Sequence, residues 1–292
     1  MTVFNLKHKR TIRVLNSFLL LLLLAAFSAS SLYAGERALF DNEDDFVEVF
    51  ERGEINWEKG LIRVTGIAGE IKEKSSPRNI AVDSLGRLRS AKIAAMRNLL
   101  EIVKEMRVDF NSTGKDYIAG SEHIGKTIQQ IIRKAKIVEK IEQSGGGIQV
   151  IVELPLRDQL LATMVPETGR IKVPSGGEEE YTGLIIDAGG LGVKPALSPR
   201  IIDERGREIY GASYVNREYF LSKGIVVYSR DQARAAQNSR VAGNPLVVRA
   251  LRTSGAASVN LVISDDDASK IRSPSNSLKW MEECRVIIIV DR

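Results

Sequence analysis

An apolar stripe with helical spacing in residues 84–108 is the strongest pattern in this sequence. The stripe consists of apolar residues three or four positions apart: Leu88, Ala91, Ala95, Leu99, Ile102 and Met106. A shorter stripe in residues 121–135 predicts a second helix. Residues 61–72, 136–143 and 148–156 alternate apolar and polar positions instead, which is typical of strands. Helices over one face of a small antiparallel sheet would bury these apolar faces together, so the predicted fold class is α+β.

The C-terminal part of the chain predicts a second, α/β unit. Its short apolar runs predict strands at 184–187, 225–228, 246–251, 259–263 and 286–290, with a helix at 231–236. Residues 201–210 predict a hairpin, because Gly206 suits a turn position with a positive φ angle. The last strand is an uninterrupted run of valine and isoleucine, which indicates a central strand buried on both faces.

Two segments without periodicity divide the chain into predicted domains. Residues 35–54 form an acidic arm, for which we expect either a short amphipathic helix near 42–52 or a loosely docked segment. Residues 165–180 carry two prolines, three glycines and an acidic run, and predict a linker. The predicted domains are therefore residues 55–164 and residues 181–292.

Residues 1–34 have the composition of a secretory signal peptide. Four basic residues precede an uninterrupted apolar run at 18–27, and small and polar residues follow it. This order predicts cleavage between Ala34 and Gly35. Ten apolar residues at about 1.5 Å each cannot cross a hydrocarbon core of about 30 Å. The alternative is an uncleaved inner-membrane anchor, because the run extended through Ala34 reaches 17 residues.

Charge and cysteine content exclude several classes of protein. The net charge of +5 falls to +1 without residues 1–34, because that leader carries four basic residues and no acidic one. The remaining chain lacks the excess positive charge that phosphate backbones attract, so we predict no nucleic-acid partner. A single cysteine, Cys284, excludes a disulfide within the chain and any multi-cysteine metal site. No cysteine lies near the predicted cleavage point, which excludes a lipid-modified N-terminal cysteine.

The sharpest short motif is GSEHIGKT at residues 120–127, which matches the phosphate-binding loop. In such a loop Gly120 and Gly125 let backbone N–H groups cradle phosphates, Lys126 reaches the β and γ oxygens and Thr127 binds magnesium. The loop requires a buried strand directly before it, but the nine preceding residues are polar and turn-like. We therefore favour a helix N-terminus capped by the serine after Gly120, with a nucleotide-binding protein as the alternative function.

Four other features have simple structural explanations. The acidic run at residues 264–267 predicts a helix N-terminus capped by Ser264. The segment DAGGLG at 187–192 predicts a turn, since it lacks the third glycine of a dinucleotide site. His123 is the one histidine after the leader, and Cys284 beside the last strand predicts a buried apolar side chain. We find no catalytic set, so we predict no enzyme, no cofactor and no metal.

The first domain resembles a known family. The helix RLRSAKIAAMRNLLEIV and the segment IVEKIEQSGGGIQVIVELPL, after a strand, look like the LPP-twenty lipoprotein-like domain, which also forms the N-terminal part of the flagellar assembly protein FlgT. The resemblance covers about residues 55–161. It implies an exported protein of the bacterial envelope or flagellum with a structural role and no catalytic residues. The chain departs from the family in lacking the lipid-acceptor cysteine.

These patterns predict an exported, non-enzymatic envelope protein, in the periplasm or associated with the outer membrane. It would act as a structural or assembly component through contacts with envelope or flagellar-base proteins. Peripheral contact with a membrane is a further expected interaction. The candidate surfaces are a hairpin edge at residues 148–156 and a basic helix face. That face comprises Arg87, Arg89, Lys92, Arg97 and Lys104. A second alternative is a periplasmic small-molecule or metal-binding module with its pocket between the domains.

Overall fold

The computed structural model describes residues 38–40, 44–69, 77–143, 146–167, 169, 171–173, 181–273 and 278–291, with the backbone alone over 77–83. The chain from Leu39 onward forms one compact unit. The predicted signal peptide and its cleavage point at Ala34 and Gly35 lie outside the described residues. None of the described helices is both long enough and apolar enough to cross a lipid bilayer.

An antiparallel sheet forms the first half of this unit. Its strands are β1 (Val47–Phe50), β2 (Gly53–Asn56), β3 (Leu61–Ala68), β4 (Lys136–Glu142) and β5 (Ile148–Pro155). Their order in the sheet is β1-β2-β3-β5-β4. The helices described in this half are α1 (Pro77–Glu105), α2 (Gly114–Gly120), α3 (Glu122–Arg133) and α4 (Gln159–Met164). The helices predicted at 84–108 and 121–135, the strands predicted at 136–143 and 148–156, and the α+β class are confirmed. The strand predicted at 61–72 is confirmed over Leu61–Ala68, and residues 70–72 lie outside the described residues.

Helix α1 packs closely on the sheet because the contact is made by small residues. Ala91 and Ala95 of the helix are fully buried. Gly66 of β3 lies against them, and a Cβ atom added there would come within 3.0 Å of the backbone of both alanines. Leu99 and Ile102 on the following turns are buried in the same core. The predicted apolar stripe is therefore the face that the helix turns to the sheet.

Residues 47–56 form a β-hairpin, so the amphipathic helix predicted near 42–52 is wrong. Val47 pairs with Asn56, and β2 pairs in turn with β3 along its length. Ile55 of β2 is fully buried in the core. The segment has no periodicity of its own, so the pairing and burial that the sheet offers decide its conformation.

Strand β5 lies inside the sheet between β3 and β4, so the hairpin edge predicted at residues 148–156 is wrong. The edges are β1 and β4. The register of β4 against β5 shifts between Ile137 and Glu139, which marks a bulge. A bulge and lysine side chains along an edge strand both discourage pairing with another chain, and β4 carries Lys136 and Lys140.

Two further sheets form the second half. One is parallel, with the order β10-β6-β13-β9, and the other is mixed, with the order β11-β12-β7-β8. Their strands are β6 (Leu184–Asp187), β7 (Ile201–Ile202), β8 (Glu208–Tyr210), β9 (Val227–Ser229), β10 (Leu246–Arg249), β11 (Arg252–Ser254), β12 (Asn260–Val262) and β13 (Val286–Ile289). The described helices are α5 (Arg217–Lys223), α6 (Gln232–Gln237), α7 (Asp265–Ile271) and α8 (Lys279–Glu282), with a 3-10 turn at Ala212–Tyr214.

Several predictions for this half are confirmed. β13 is a buried strand with parallel neighbours on both sides, as its valine and isoleucine run predicts. β7 and β8 form the predicted hairpin, and Gly206 has a φ angle of +79° at its turn. The structure describes residues 165–167, 169 and 171–173 of the predicted linker. Within them Val165 and Val173 are buried, and the N–H of Ile171 donates to the carbonyl oxygen of Ser213 at 2.8 Å.

Candidate functional site

The phosphate-loop motif lies at a corner between two helices. Gly120 is the last residue of α2, whereas Gly125, Lys126 and Thr127 lie within α3. The N–H of Gly125 is engaged in a helical bond to the carbonyl oxygen of Ser121 at 3.0 Å. Lys126 pairs instead with Glu122 one turn earlier, at 2.6 Å. The preferred prediction of a helix N-terminus is confirmed, because Ser121 Oγ accepts from the N–H of Ile124 at 3.4 Å.

The acidic run at residues 264–267 and the glycine turn at 187–192 both form hydrogen bonds to backbone N–H groups. Ser264 caps α7, and its Oγ accepts from the N–H of Asp267 at 3.0 Å. At the glycine turn after β6, Asp187 accepts from the N–H of Gly189 at 3.0 Å. Asp291 accepts from the N–H groups of two further glycines of that turn. Both predictions, a cap and a turn, are confirmed, and these carboxylates are engaged by backbone donors.

His123 and Cys284 differ in exposure. His123 is exposed on α3. Cys284 is fully buried, as predicted, and burial raises the pKa of its thiol to about 11. A thiol with such a pKa is a poor nucleophile at neutral pH. Within the ranges that the structure describes, no three His, Cys, Asp or Glu side chains are grouped as metal ligands.

The carboxyl edge of the parallel sheet, where ligands usually bind in such folds, is covered at β9 by the β1–β2 hairpin. Tyr228 of β9 packs between two aromatic rings from the first half. Its ring centroid lies 6.1 Å from that of Phe46 and 5.8 Å from that of Trp57. Arg230, directly after β9, donates from Nη2 to the carbonyl oxygen of Val47 at 3.3 Å. This edge therefore joins the two halves of the chain.

The contact between the hairpin and the second half is here called the seam; it includes Phe46, Trp57, Tyr228 and Arg230. A buried charged cluster extends it. Arg234 of α6 places Nη2 3.4 Å from Asp45 and 3.2 Å from Glu58. Asp45 is only 2% exposed and also binds Lys59 at 2.6 Å and Asn56 at 2.8 Å. Burial by itself raises the pKa of Asp45, but the hydrogen bonds from these neighbours lower it below its ordinary value. Burial raises the pKa of Glu58, against the attraction of Arg234.

A second ion pair ties the hairpin to the end of α1. The guanidinium of Arg107 binds Glu48 and donates from Nε to the carbonyl oxygen of Pro195 at 2.9 Å. The indole N–H of Trp57 donates to the other oxygen of Glu48 at 2.9 Å. No pattern in the sequence indicates this seam, because its partners lie far apart in the chain and share no motif.

A cavity of about 260 Å³ opens elsewhere between the two halves. It is lined by polar and apolar side chains from both: Val108, Asp109, Tyr117, Val165, Pro166, Ser198, Arg200, Glu208, Ala212 and Ser213. Burial and the nearby carboxylate of Asp109 raise the pKa of Tyr117. No motif marks this cavity in the sequence, since its polar residues come from separate segments.

The exposed side of α1 carries a row of residues four positions apart, here called the α1 face: Leu85, Arg89, Ile93 and Arg97. Leu85 is 62% exposed and Ile93 51% exposed. Arg89 and Arg97 are exposed too, and neither has a hydrogen-bond or ion-pair partner among the described residues. Within the described part of the chain, the row therefore alternates exposed aliphatic side chains with guanidinium groups that have no partner.

The predicted basic helix face is smaller than expected. Arg87 is buried at 9% exposure, so its place on that face is wrong. Lys104 pairs with Glu101 at 2.8 Å. Lys92 is half-buried beside the α1 face, without a described partner.

Comparison with known families gives a match in the second half of the chain. Residues 183–292 match the family model of the second domain of Treponema pallidum Tp0624, a bacterial domain of unknown function. The matched stretch begins one residue before β6 and takes in the parallel and the mixed sheet. No curated protein sequence matches the chain. The matched residues thus form the half on which the β1–β2 hairpin packs.

Proposed function

We propose that this chain is an exported, non-enzymatic protein of the bacterial envelope that binds a partner protein through the α1 face. The proposal rests on the row in which exposed Leu85 and Ile93 alternate with Arg89 and Arg97, two arginines without a partner among the described residues. Burial of large aliphatic side chains in an interface lowers the free energy by about 25 cal/mol per Å² of apolar surface removed from water. Arginine is enriched in protein interfaces, where its fork of donors binds carboxylates.

The charge of the α1 face defines the partner. Both of its ionisable residues are arginines, so a second copy of the chain docked on the same row would place like charges opposite one another. A partner with acidic side chains around an apolar groove fits both components of the row. The proposed mechanism is therefore docking of a rigid helix face into an acidic and apolar groove.

The resemblance of residues 55–161 to the LPP-twenty lipoprotein-like domain supports the proposed location in the envelope and the proposed class of partner. Members of that family are exported envelope proteins, and the domain also occurs in flagellar assembly. We place the protein in the periplasm or at the outer membrane, with envelope or flagellar-base proteins as its partners. Export would follow from the predicted signal peptide, cleaved between Ala34 and Gly35.

Site-specific photo-crosslinking in the native cells tests this proposal. A photoreactive amino acid replaces Ile93 in one variant and Val247 in a matched variant, since both positions are exposed by about half. Val247 lies in β10, in the other half of the chain. We expect an adduct of discrete mass at position 93 and none at position 247.

Charge variants complete this test. Replacement of Arg89 and Arg97 together by glutamate should abolish the adduct, whereas replacement of both by lysine should keep most of it. Neither pair should change the free energy of unfolding by more than about 0.5 kcal/mol, because both side chains are exposed. Equal adducts at both positions, an adduct that survives the glutamate pair, or an adduct with lipid in place of protein would each overturn the proposal.

A further inference from the structure

The cavity between the two halves has fixed walls. Its residues come from the segment after α1, from α2, from the segment after α4 and from the region of β7 and β8. Two backbone hydrogen bonds beside it join the segment after α1 to the segment before β7. Leu197 donates to the carbonyl oxygen of Arg107 at 3.1 Å, and Ser198 donates to that of Val108 at 2.8 Å. A cavity held in this way is present before any ligand arrives.

Asp109 lines the cavity with unused acceptor capacity. Its Oδ1 accepts from the backbone N–H groups of Asn111 at 2.8 Å and Ser112 at 2.9 Å. Its Oδ2 accepts from the hydroxyl of Tyr117 at 3.2 Å. A carboxylate oxygen can accept two hydrogen bonds, so within the described part of the chain Oδ2 has room for another donor.

Glu208 lines the same cavity and is also incompletely used. Its Oε1 accepts from the hydroxyl of Ser213 at 2.7 Å. Its Oε2 faces the guanidinium of Arg200 at 3.7 Å, which is beyond hydrogen-bonding distance. Arg200 is held by another contact, because its guanidinium lies 4.3 Å above the ring of Phe110.

The lining as a whole favours a cation. It carries two carboxylates against one guanidinium, that of Arg200, which is paired with Glu208 at 3.7 Å, so one negative charge is left without a counter-charge in the lining. The remaining wall is apolar and comes from Val108, Val165, Pro166 and Ala212. An anionic ligand would meet both carboxylates, and a neutral one would leave their spare acceptors without a charged donor.

We propose that this cavity binds an organic ammonium group on a short aliphatic stem. The ammonium donates to Asp109 Oδ2 and Glu208 Oε2, while the stem packs against the valine, proline and alanine wall. A cavity of about 150 Å³ can hold benzene, so a volume of about 260 Å³ accommodates a stem of about five carbons. A free alkylamine and the side chain of a lysine in a partner share this chemistry. The inference is independent of the α1 face.

Calorimetric titration of the full mature chain with n-pentylamine tests the site, with 1-pentanol and pentanoate as controls of equal stem length. We expect the amine to bind with a dissociation constant of about 1 mM or tighter, and the alcohol and the acid at least about tenfold more weakly. Lysine blocked at both backbone ends is a second amine probe. Binding of both amines identifies a lysine side chain as a permitted ligand, and binding of n-pentylamine alone restricts the site to free amines.

Two variants and one control locate the binding. Asp109→Asn keeps an oxygen for the backbone donors, and Glu208→Gln keeps one for Ser213, so both should fold. Each should weaken n-pentylamine binding by about tenfold or more. Asp266→Asn, at an exposed carboxylate of α7 outside the cavity lining, should leave binding unchanged. Failure of both amines to bind, or binding that Asp109→Asn and Glu208→Gln do not weaken, would overturn the proposal.

Discussion

The ring of Trp57 meets that of Tyr228 edge to face, with ring centroids 5.8 Å apart and ring planes at 73°. Trp57 follows the second strand of the first sheet, and Tyr228 lies in an outer strand of the parallel sheet. Edge-to-face pairs of this geometry contribute about 0.5–1.5 kcal/mol beyond the area that they bury. The contact joins two parts of the chain that the sequence divides into separate domains.

The first prediction concerns cooperativity of unfolding. Because the seam buries aromatic rings and a charged cluster, both halves should unfold together in a single transition in urea. Tyr228→Phe should lower the free energy of unfolding by about 1–3 kcal/mol, because the Tyr228 hydroxyl satisfies both the N–H and the carbonyl group of Ala196. Fluorescence of the two tryptophans and far-ultraviolet circular dichroism should report the same midpoint. Two separated transitions would contradict the seam as described.

The second prediction concerns Asp45 and pH. Since its folded pKa lies below its ordinary value of 3.8, the charged carboxylate is bound more strongly in the folded than in the unfolded chain. Its stabilising effect is therefore complete above about pH 4 and is lost as the pH falls further. Asp45→Asn should cost about 1–3 kcal/mol at pH 7, because Lys59 and Arg234 lose a charged partner and their own exposure of 48% and 38% lets water screen the pair.

That cost should shrink as the pH falls from 4 to 2, where the wild-type carboxylate becomes protonated as well. Urea unfolding of both proteins across this range measures it. Asp266→Asn, at an exposed position, serves as the control and should show a small and nearly constant difference. A cost for Asp45→Asn that stays constant down to pH 2 would rule out the linkage.

The third prediction tests the close approach of α1 to the sheet. Gly66→Ala should destabilise the protein by about 1–3 kcal/mol or more, because the new Cβ would overlap the backbone at Ala91 and Ala95. Gly69→Ala is the matched control, since no atom of the described residues lies within 4 Å of a Cβ at that position. Thermal unfolding of both variants measures the difference, and we expect a lower midpoint for Gly66→Ala than for Gly69→Ala. Equal midpoints would show that the helix and the sheet are not in this contact.

Local patterns predict much of this fold. The stripe of α1, the alternation in β3 and β5, and the cap at Ser121 each follow from neighbouring residues, so their elements are predicted correctly. Short helices such as α2 are missed, although the N–H of Thr113 donates to Asp116 at 2.7 Å in a recognisable capping pair. Seven residues are too few for a helical period to appear above the polar composition of the segment.

Long-range relationships explain the remaining errors. The position of β5 inside the sheet depends on its pairing with β3, which lies about eighty residues earlier, and no local pattern reports it. The seam around Arg234 and the cavity around Glu208 likewise join residues from both halves. A local pattern can also mislead. The residues that match the phosphate-binding loop, Gly120, Gly125, Lys126 and Thr127, lie on two separate helices and form no such loop.

The proposal that this is an exported envelope protein is tested by the N-terminus and the cellular location of the native protein. Cells are separated into cytoplasmic, inner-membrane, periplasmic and outer-membrane fractions, and the intact mass and N-terminal peptide are determined in each. We expect a chain that begins at Gly35, recovered in the periplasmic or outer-membrane fraction. A chain that retains residues 1–34 and is recovered in the cytoplasm would contradict it.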